Sequence, residues 1–423
     1  MAVNSPPAAV PVARHQIVLL QPLRIRNFLL FWIGETACRF GDEFQSIALA
    51  TVAIGLTGKA STLAGILMVQ SIPASFLLLY GGVIVDRLGA RRVMITANLL
   101  IGLVVAGLAL ASATGGLVVK HLYVYAVLIG LIWSIFQPAS YAMPSLLVDR
   151  KRLPAGNALH QIGRDAGGFI AAPVGGALVA AVGAVPAFLV KSASSLFSAS
   201  LQSMTKLPPA TPAKLSREGI WGLLLSGIRI VRADPVLKGG MIYAALLYLG
   251  FMGANQVGVA GLAQITLQAG PQGQGMMRAA LGIGGLIGTV TAGNVHNFGR
   301  VGILVPVASV LIAAGFAAAG IASSVMAASV ALFIAGLAYA FRYVPMISLV
   351  QSRAIPAERG RVMSVLMLCS FGVFPFSYAL AGAVANVLGP RGILVLLGGG
   401  MPLLAAAVAC SIREFRSHFL DLR

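Results

Sequence analysis

Long apolar runs, each about as long as a lipid bilayer is thick, constrain this chain more than any other feature. They lie near 27–56, 61–85, 93–116, 121–148, 156–181, 184–204, 239–263, 276–297, 302–322, 326–351, 361–388 and 391–411. A helix needs roughly 20 apolar residues to cross the hydrocarbon core, and a spanning segment must satisfy its own backbone hydrogen bonds. The sequence therefore predicts an all-α membrane protein with twelve transmembrane helices, arranged as six plus six.

Composition and charge agree with a membrane setting. The 423 residues are 58% hydrophobic and only 10% charged, against about 25% charged residues in an ordinary soluble domain. The net charge of +19 could suggest nucleic-acid binding in a soluble protein. Here the Lys and Arg residues form short clusters between apolar runs, which is typical of cytoplasmic loops. We therefore expect no nucleic-acid partner.

The basic loops alternate along the chain and so define the two sides of the membrane. One side receives clusters such as 87–92 and 150–152, whereas the other keeps only Lys59, Lys120 and Arg391. Because cytoplasmic loops carry the excess of Lys and Arg, both termini are predicted to lie in the cytoplasm. The basic loops would then face the anionic cytoplasmic leaflet.

Three regions follow from this pattern. Residues 1–205 are predicted to form an N-terminal six-helix bundle, 206–238 a cytoplasmic linker, and 239–423 a C-terminal six-helix bundle. Segments 147–155 and 349–357 align at equivalent places in the two halves, as expected of a duplicated transporter. Apolar residues at helical spacing within 220–231 indicate either an amphipathic helix at the membrane surface or a short helix packed on the linker.

The loop between the second and third predicted spans carries a motif, Gly81 to Arg92. Its glycines permit close helix approach and a tight turn, and Asp86 can bind a helix N-terminus or an arginine. We expect Asp86 to meet the helix that begins near Gly360 when the cytoplasmic side is closed. The residues assigned to this gating motif are Gly82, Asp86, Arg87, Gly89, Arg91 and Arg92.

This motif resembles the G-x-x-x-D-R-x-G-x-R-R signature of the major facilitator superfamily. Segments 27–32, 154–159 and 359–364 resemble the bacterial branch that contains macrolide and siderophore exporters. The resemblance implies proton-coupled efflux of small molecules from the bacterial inner membrane by a monomer that uses alternating access. Two departures are present: segment 293–300 lacks the acid of the second-half signature, and the antiporter-type G-P-x-x-G-G motif appears here as residues 172–176.

The altered antiporter motif still supplies Pro173, Gly175 and Gly176. A proline inside a helix removes a hydrogen bond, and glycines thin the helix face so that neighbours approach closely. The fifth span is therefore predicted to bend at these residues.

Ionisable residues inside predicted spans are costly and usually mark a cavity or a partner. The first span contains Glu35, Arg39, Asp42 and Glu43. The four-residue spacing of Glu35 and Arg39 fits either a self-neutralising structural pair or a proton-carrying role. Asp42, near the middle of the span, is predicted to exchange protons with the two sides of the membrane in turn.

Further charges are expected to complete one polar cluster. Arg164 and Asp165 of the fifth span would meet Glu35 across the cavity, and Arg342 of the tenth span would attract an anionic group of the substrate. The summed charge of Glu35, Arg39, Arg164, Asp165 and Arg342 is +1 if all are ionised, which favours neutral or anionic substrates. By contrast, Arg278 and Lys191 are expected to extend outward to the membrane surface.

Catalytic, metal and cofactor sites are not predicted. The cysteines at 38, 369 and 410 lack metal-ligand spacing, and His121, His160 and His296 stand without acidic or cysteine neighbours in the sequence. No nucleophile, base and orienting group converge, so an enzyme is not expected and the proton gradient is the only energy source implied. An uptake symporter and a membrane ligand sensor that does not transport remain alternative functions, because one fold serves many functions.

Overall fold

The computed structural model describes residues 20–149, 151–207, 220–294, 301–353 and 358–411, and these are nearly all helical. The helices of the first half are α1 (Arg26–Thr57), α2 (Ala60–Leu88), α3 (Ala90–Ala113), α4 (Val119–Leu147), α5 (Leu153–Val182) and α6 (Ala184–Ser203). A short helix, α7, spans Ile220–Ala233. The helices of the second half are α8 (Pro235–Thr266), α9 (Gly270–Asn294), α10 (Val301–Ile321), α11 (Val325–Arg353), α12 (Arg359–Phe371), α13 (Phe374–Gly392) and α14 (Met401–Ser411).

Within these ranges, nine helical stretches are long and apolar enough to cross a membrane. The last of them, Arg361–Ser411, covers 51 residues and contains Gly389 with φ 67°, a non-helical backbone that turns the chain. Helix α1 is 32 residues long, but four charged residues interrupt its apolar run. The chain is therefore a multi-pass membrane protein, and the count of twelve spans stays a prediction.

Glycines with positive φ separate consecutive helices. Gly89 alone lies between α2 and α3, with φ 84°, a conformation that strongly favours glycine. The tight turn expected in the 81–92 segment is thus present. This end of the first half also carries the connection from α4 to α5, and we call it the linker end.

Helix α5 departs from regular geometry where a bend was predicted. Residues Gly167–Ala171 form a π-helical turn, immediately before the segment that contains Pro173. A proline cannot donate the helical hydrogen bond to the preceding turn, and π turns are a common way to absorb such a disruption. Similar turns occur in α8, at Ala254–Gly258 and Leu262–Thr266.

Each half buries its own apolar core. Side chains such as Phe28, Phe31 and Phe188 form the core of the first half, and Tyr243 and Phe316 belong to that of the second. Burial of apolar surface and close packing hold helices of each half together.

Helix α7 is attached to the second half. Leu224 and Val231 are buried, and Gly227 lies so close to α12 that an added methyl group would be 3.0 Å from the side chain of Val365. The structure thus shows a short helix packed on the second half, and its position at the membrane surface stays a prediction.

The two halves meet at the end opposite the linker end. A methyl group on Gly176 would lie 3.1 Å from the Cα atom of Gly275, and one on Gly261 would lie 3.1 Å from the Cβ atom of Ala60. Toward the linker end the halves separate around a cavity of about 450 Å³, lined by Ser75, Trp133 and Met367 among others. The described conformation is therefore closed at the opposite end and open toward the linker end.

Candidate functional site

A buried carboxylate, Glu35, lies at the centre of a polar cluster in the first half. Its side chain is 2% exposed, and its Oε1 atom is 2.8 Å from Arg39 Nη2. Ser140 donates a hydrogen bond to the same oxygen at 2.9 Å. His160 Nε2 is 3.8 Å and Arg164 Nη1 is 4.0 Å from it. The expectation that His160 lacks a carboxylate partner is wrong, because the fold brings Glu35 to within 3.8 Å of its ring.

Gln137 of α4 connects the two arginines of this cluster. Its Oε1 atom accepts hydrogen bonds from Arg39 and from Arg164, each at 3.1 Å. Arg164 also lies over the ring of Tyr141, 4.9 Å from its centroid. Glu35, Arg39 and Arg164 are therefore brought together. The fourth residue predicted here, Asp165, belongs to α5, but its side chain lies outside the described part of the structure.

Asp42 forms an ion pair that the sequence did not suggest. Its Oδ1 atom is 2.6 Å from Lys191 Nζ, and the Lys191 side chain is only 2% exposed. Lys191 also lies 3.1 Å from the sulfur of Cys38. The expectation that Lys191 extends outward to the membrane surface is wrong, because its ammonium group is directed into the protein and is paired there.

A second ion pair joins the two halves. Arg278 Nη2 of α9 lies 3.0 Å from Glu43 Oε2 of α1. Arg278 Nη1 donates to Ser46 of the first half at 2.6 Å and to Gln256 of the second half at 3.1 Å. The outward orientation expected for Arg278 is therefore also wrong. The residue connects three helices at the seam between the halves.

These ion pairs line a central cavity of about 280 Å³. Asp42, Glu43 and Lys191 contribute from the first half, and Arg278 from the second. The Asp42 side chain is 39% exposed, so water in the cavity can reach this carboxylate. A concave site between two helical domains, lined by apolar side chains and a few placed polar groups, is the usual form of a small-molecule site.

Arg342 does not join the Glu35 cluster. It is 1% exposed and lies in the second half among four tyrosine rings, with its guanidinium carbon 4.5 Å from the Tyr339 centroid. It also lines a small cavity of about 70 Å³. The single cluster expected from the sequence is therefore two groups, one in each half.

The gating-motif residues lie at the linker end of α2 and α3. Asp86, Arg87, Gly89 and Arg92 are exposed, and Gly82 is half-buried. Arg91 donates hydrogen bonds to the carbonyl groups of Gln202, at 3.1 Å, and of Ser203. A cation at the C-terminal end of a helix is favourable, so Arg91 holds α3 against the end of α6. Among the residues that the structure describes, no ion pair involves Asp86.

The two helix-five glycines allow close packing on different sides of α5. A methyl group on Gly175 would meet Phe44 of α1 at 3.3 Å, within the first half, and one on Gly176 would meet α9 of the second half. In the described ranges, no three His, Cys, Asp or Glu side chains are grouped as metal ligands.

Proteins of known type are similar to this chain over most of its length. Residues 17–419 match the family described as transmembrane secretion effector. The multidrug efflux pump Tap of Mycolicibacterium fortuitum is 24% identical over 403 residues, covering 93% of this chain and 97% of its own length. The enterobactin exporter EntS of Escherichia coli (strain K12) is 24% identical over 344 residues, covering 81% of each.

Solved structures share the fold. A POT family transporter in complex with a thioalcohol-conjugated peptide has a TM-score of 0.72 at 15% identity, with 94% of this chain and 97% of that chain covered. A bacterial homologue of the iron transporter ferroportin, in an inward-facing state, has a TM-score of 0.70 at 17% identity, with 93% and 99% covered. The chain belongs to the transmembrane secretion effector family of the major facilitator superfamily.

Proposed function

We propose that this chain is a secondary active transporter that exports small molecules by proton-coupled alternating access. The relatives named above are exporters of drugs and of a siderophore, which supports substrates of drug, macrolide or siderophore type. Twelve transmembrane helices would be divided between bundles 1–205 and 239–423, joined by the linker 206–238. The broken stretch Arg361–Ser411 supports this count, since it is long enough to cross twice.

The proposed setting is the bacterial inner membrane, with the linker end and both termini in the cytoplasm. The exposed Arg87 and Arg92 at the linker end support this orientation, because basic loops remain on the cytoplasmic side and face anionic lipid. The protein would act as a monomer, since the cavity is formed by the two halves of one chain.

One observation carries the proposal: the central cavity is lined by two carboxylate–cation pairs, and one of them crosses between the halves. A carboxylate that takes up a proton loses its charge and with it the attraction to its partner. Protonation of Glu43 would remove the ion pair to Arg278 and so weaken the seam. Protonation of Asp42 would release Lys191. Proton uptake would thereby favour separation of the halves at the opposite end.

Transport in everted membrane vesicles tests this function. Wild-type vesicles, energised with ATP to build a proton gradient, should accumulate neutral and anionic fluorescent compounds, and nigericin should abolish the accumulation. Asp42→Asn and Glu43→Gln should each reduce gradient-driven accumulation at least tenfold. Exchange of labelled for unlabelled compound without a gradient should persist, because that exchange needs no net proton movement.

The matched control is Asp149→Asn, which neutralises an acid that is 75% exposed in a loop and should transport normally. An uptake symporter would accumulate the compounds in right-side-out vesicles instead, and a sensor would bind them without accumulation in either orientation. Full proton-coupled efflux by both cavity variants would contradict the proposed coupling. Strong export of quaternary ammonium dyes would contradict the preference for neutral and anionic substrates.

A further inference from the structure

Arg342 is a buried cation whose charge is not neutralised by an acid in the described part of the chain. Its side chain is 1% exposed, and none of the ion pairs between described residues includes it. Burial of an uncompensated charge is costly, and ionisable residues inside membrane proteins usually serve a function. A compensating group is therefore expected from outside the described protein.

Four aromatic rings surround this cation without neutralising it. The guanidinium carbon is 4.5 Å from the Tyr339 centroid, 5.6 Å from that of Tyr248, and 5.9 Å from those of Tyr243 and Tyr343. Ring faces attract a cation, so they explain how Arg342 is tolerated and held in place. They do not accept its N–H hydrogen bonds in the way that a carboxylate does.

The unused donors of Arg342 form one edge of the guanidinium. Nε and Nη2 have no hydrogen-bond acceptor among the described residues. These two nitrogens point to the same side of the planar group, which is the fork that binds both oxygens of a carboxylate. The hydroxyl groups of Tyr243 and Tyr248 also interact with Arg342, but they leave Nε and Nη2 without an acceptor in the described part of the chain. Tyr339 donates to Tyr248 at 3.0 Å, and Tyr243 shares a hydrogen bond with Ser309 at 2.6 Å.

Arg342 lines a cavity of about 70 Å³ that continues into a larger apolar one. Tyr141, Met363, Met367 and Phe371 line both this cavity and the 450 Å³ cavity beside it. The larger volume lies within the roughly 300–1,000 Å³ range of small-molecule sites. The combined space thus has a cationic end and an aromatic, methionine-rich body, and it is open in the described conformation.

We infer that Arg342 and its tyrosines bind the acidic end of an aromatic organic anion, a carboxylate or a phenolate, whose ring lies in the cavity beneath Tyr141 and Phe371. The negative group supplies the acceptors that Nε and Nη2 lack. The aromatic and methionine side chains contact the ring. This inference rests on the proposed export function and names the substrate class.

Binding by the purified full-length protein tests the inference without any gradient, so its outcome is independent of the transport assay. Trp133 lines the larger cavity, and in a full-length protein whose other tryptophans, Trp32 and Trp221, are replaced by Phe, quenching of its fluorescence reports occupancy. The probes are 2-naphthoate, 2-naphthamide and 2-naphthylmethylammonium, which share one ring system and differ in charge. Naphthoate should bind at least tenfold more tightly than naphthamide, and the ammonium compound should bind most weakly. Acetate should not compete at equal concentration, since it lacks the ring.

Arg342→Gln should weaken naphthoate binding at least tenfold and leave naphthamide binding within twofold, while Arg342→Lys should keep part of the preference for the anion. The control Arg391→Gln removes an arginine that is hydrogen-bonded to the carbonyl of Ala322 at 3.2 Å, near the opposite end, and should leave all three affinities unchanged. Equal binding of naphthoate and naphthamide to the wild-type protein would overturn the inference, whatever the fold of the variants. Equal loss of all three probes in a folded Arg342→Gln protein would also overturn it, because a purely structural cage predicts that result.

Discussion

The carboxylate of Glu35 holds the positive side chains of the first half together. Arg39 lies 2.8 Å from it, and His160 and Arg164 lie 3.8 Å and 4.0 Å away. The sequence allowed Glu35 either to form a structural pair with Arg39 or to carry a proton. The structural pair agrees better with these contacts, since the Glu35 side chain is buried whereas Asp42 and Glu43 face the central cavity. We therefore assign Glu35 to stability and retain the cavity acids for proton exchange.

Glu35→Gln should lower the stability of the protein markedly. Removal of one partner of a buried ion pair typically costs about 3–5 kcal/mol, because the remaining charges are left uncompensated. The midpoint of thermal unfolding in detergent measures the effect. Asp149→Asn is the control, since its 3.7 Å pair with Arg152 is exposed and worth about 1 kcal/mol or less. Similar midpoints for the two variants would refute the structural role of Glu35.

Single ion pairs were the least predictable part of the site. The four-residue spacing along α1 was enough to predict the pair of Glu35 with Arg39. Pairs between helices depend on the rotation of each helix about its own axis, and a helix that is apolar on all sides carries little sequence information about that rotation. The sequence around Lys191 contains a pattern that could have predicted its inward orientation. Lys191 shares a helix face with Ser195, Ser198 and Gln202, which are all buried, and such a polar face indicates an inward orientation. The position of Arg278 offered a second indication, because it lies about 12 Å along α9 from Gly270, too deep to extend outward easily.

At the scale of helices, boundaries were largely predictable and interruptions were not. The predicted first span, 27–56, differs by one residue at each end from helix α1, Arg26–Thr57. The helix ends there because Gly58, with φ 68°, adopts the left-handed conformation typical of a helix C-terminus. The predicted span 361–388 lies within the apolar stretch Arg361–Ser411, but its helix is interrupted, since α12 ends at Phe371 and α13 begins at Phe374. Pro375 lies in the first turn of α13, where its missing N–H is tolerated. The apolar run itself did not reveal this break.

The glycine-lined contact between α5 and α9 leads to a prediction about closure. Gly176 faces Gly275 and Pro271 so closely that a methyl group would lie 3.1 Å from the Gly275 Cα atom. Gly176→Val should therefore prevent the halves from closing at the opposite end, and gradient-driven efflux should fall at least tenfold. Gly107→Val is the matched control, since an added methyl group there meets no atom within 4 Å. Normal transport by Gly176→Val would show that closure does not need this contact.

At the scale of the whole molecule, the sequence predicted a duplicated transporter but not its conformation. Alternating access requires two arrangements of the halves that have similar free energy. The same pattern of apolar residues along the chain is compatible with both arrangements, so it does not predict which one is adopted. In the described arrangement, small residues such as Ala60, Ala64 and Ala381 cluster between the halves at the opposite end, while the linker end is open. The arrangement open at the opposite end must therefore gain compensating contacts at the linker end.

Asp86 is the residue that we expect to supply such a contact. It is exposed in the described conformation, and α12 begins at Arg359 without a side-chain cap at its N-terminus, so its free N–H groups can receive a carboxylate. Such a contact stabilises the closed linker end by about 0.3–2 kcal/mol. Asp86→Asn should therefore shift the equilibrium toward the described conformation. Maleimide labelling of Ser364→Cys, in the 450 Å³ cavity, should rise in a background without Cys369 and Cys410, whereas Asp149→Asn should leave it unchanged. Equal or lower labelling in Asp86→Asn would mean that Asp86 serves only its own loop, and that another contact closes the linker end.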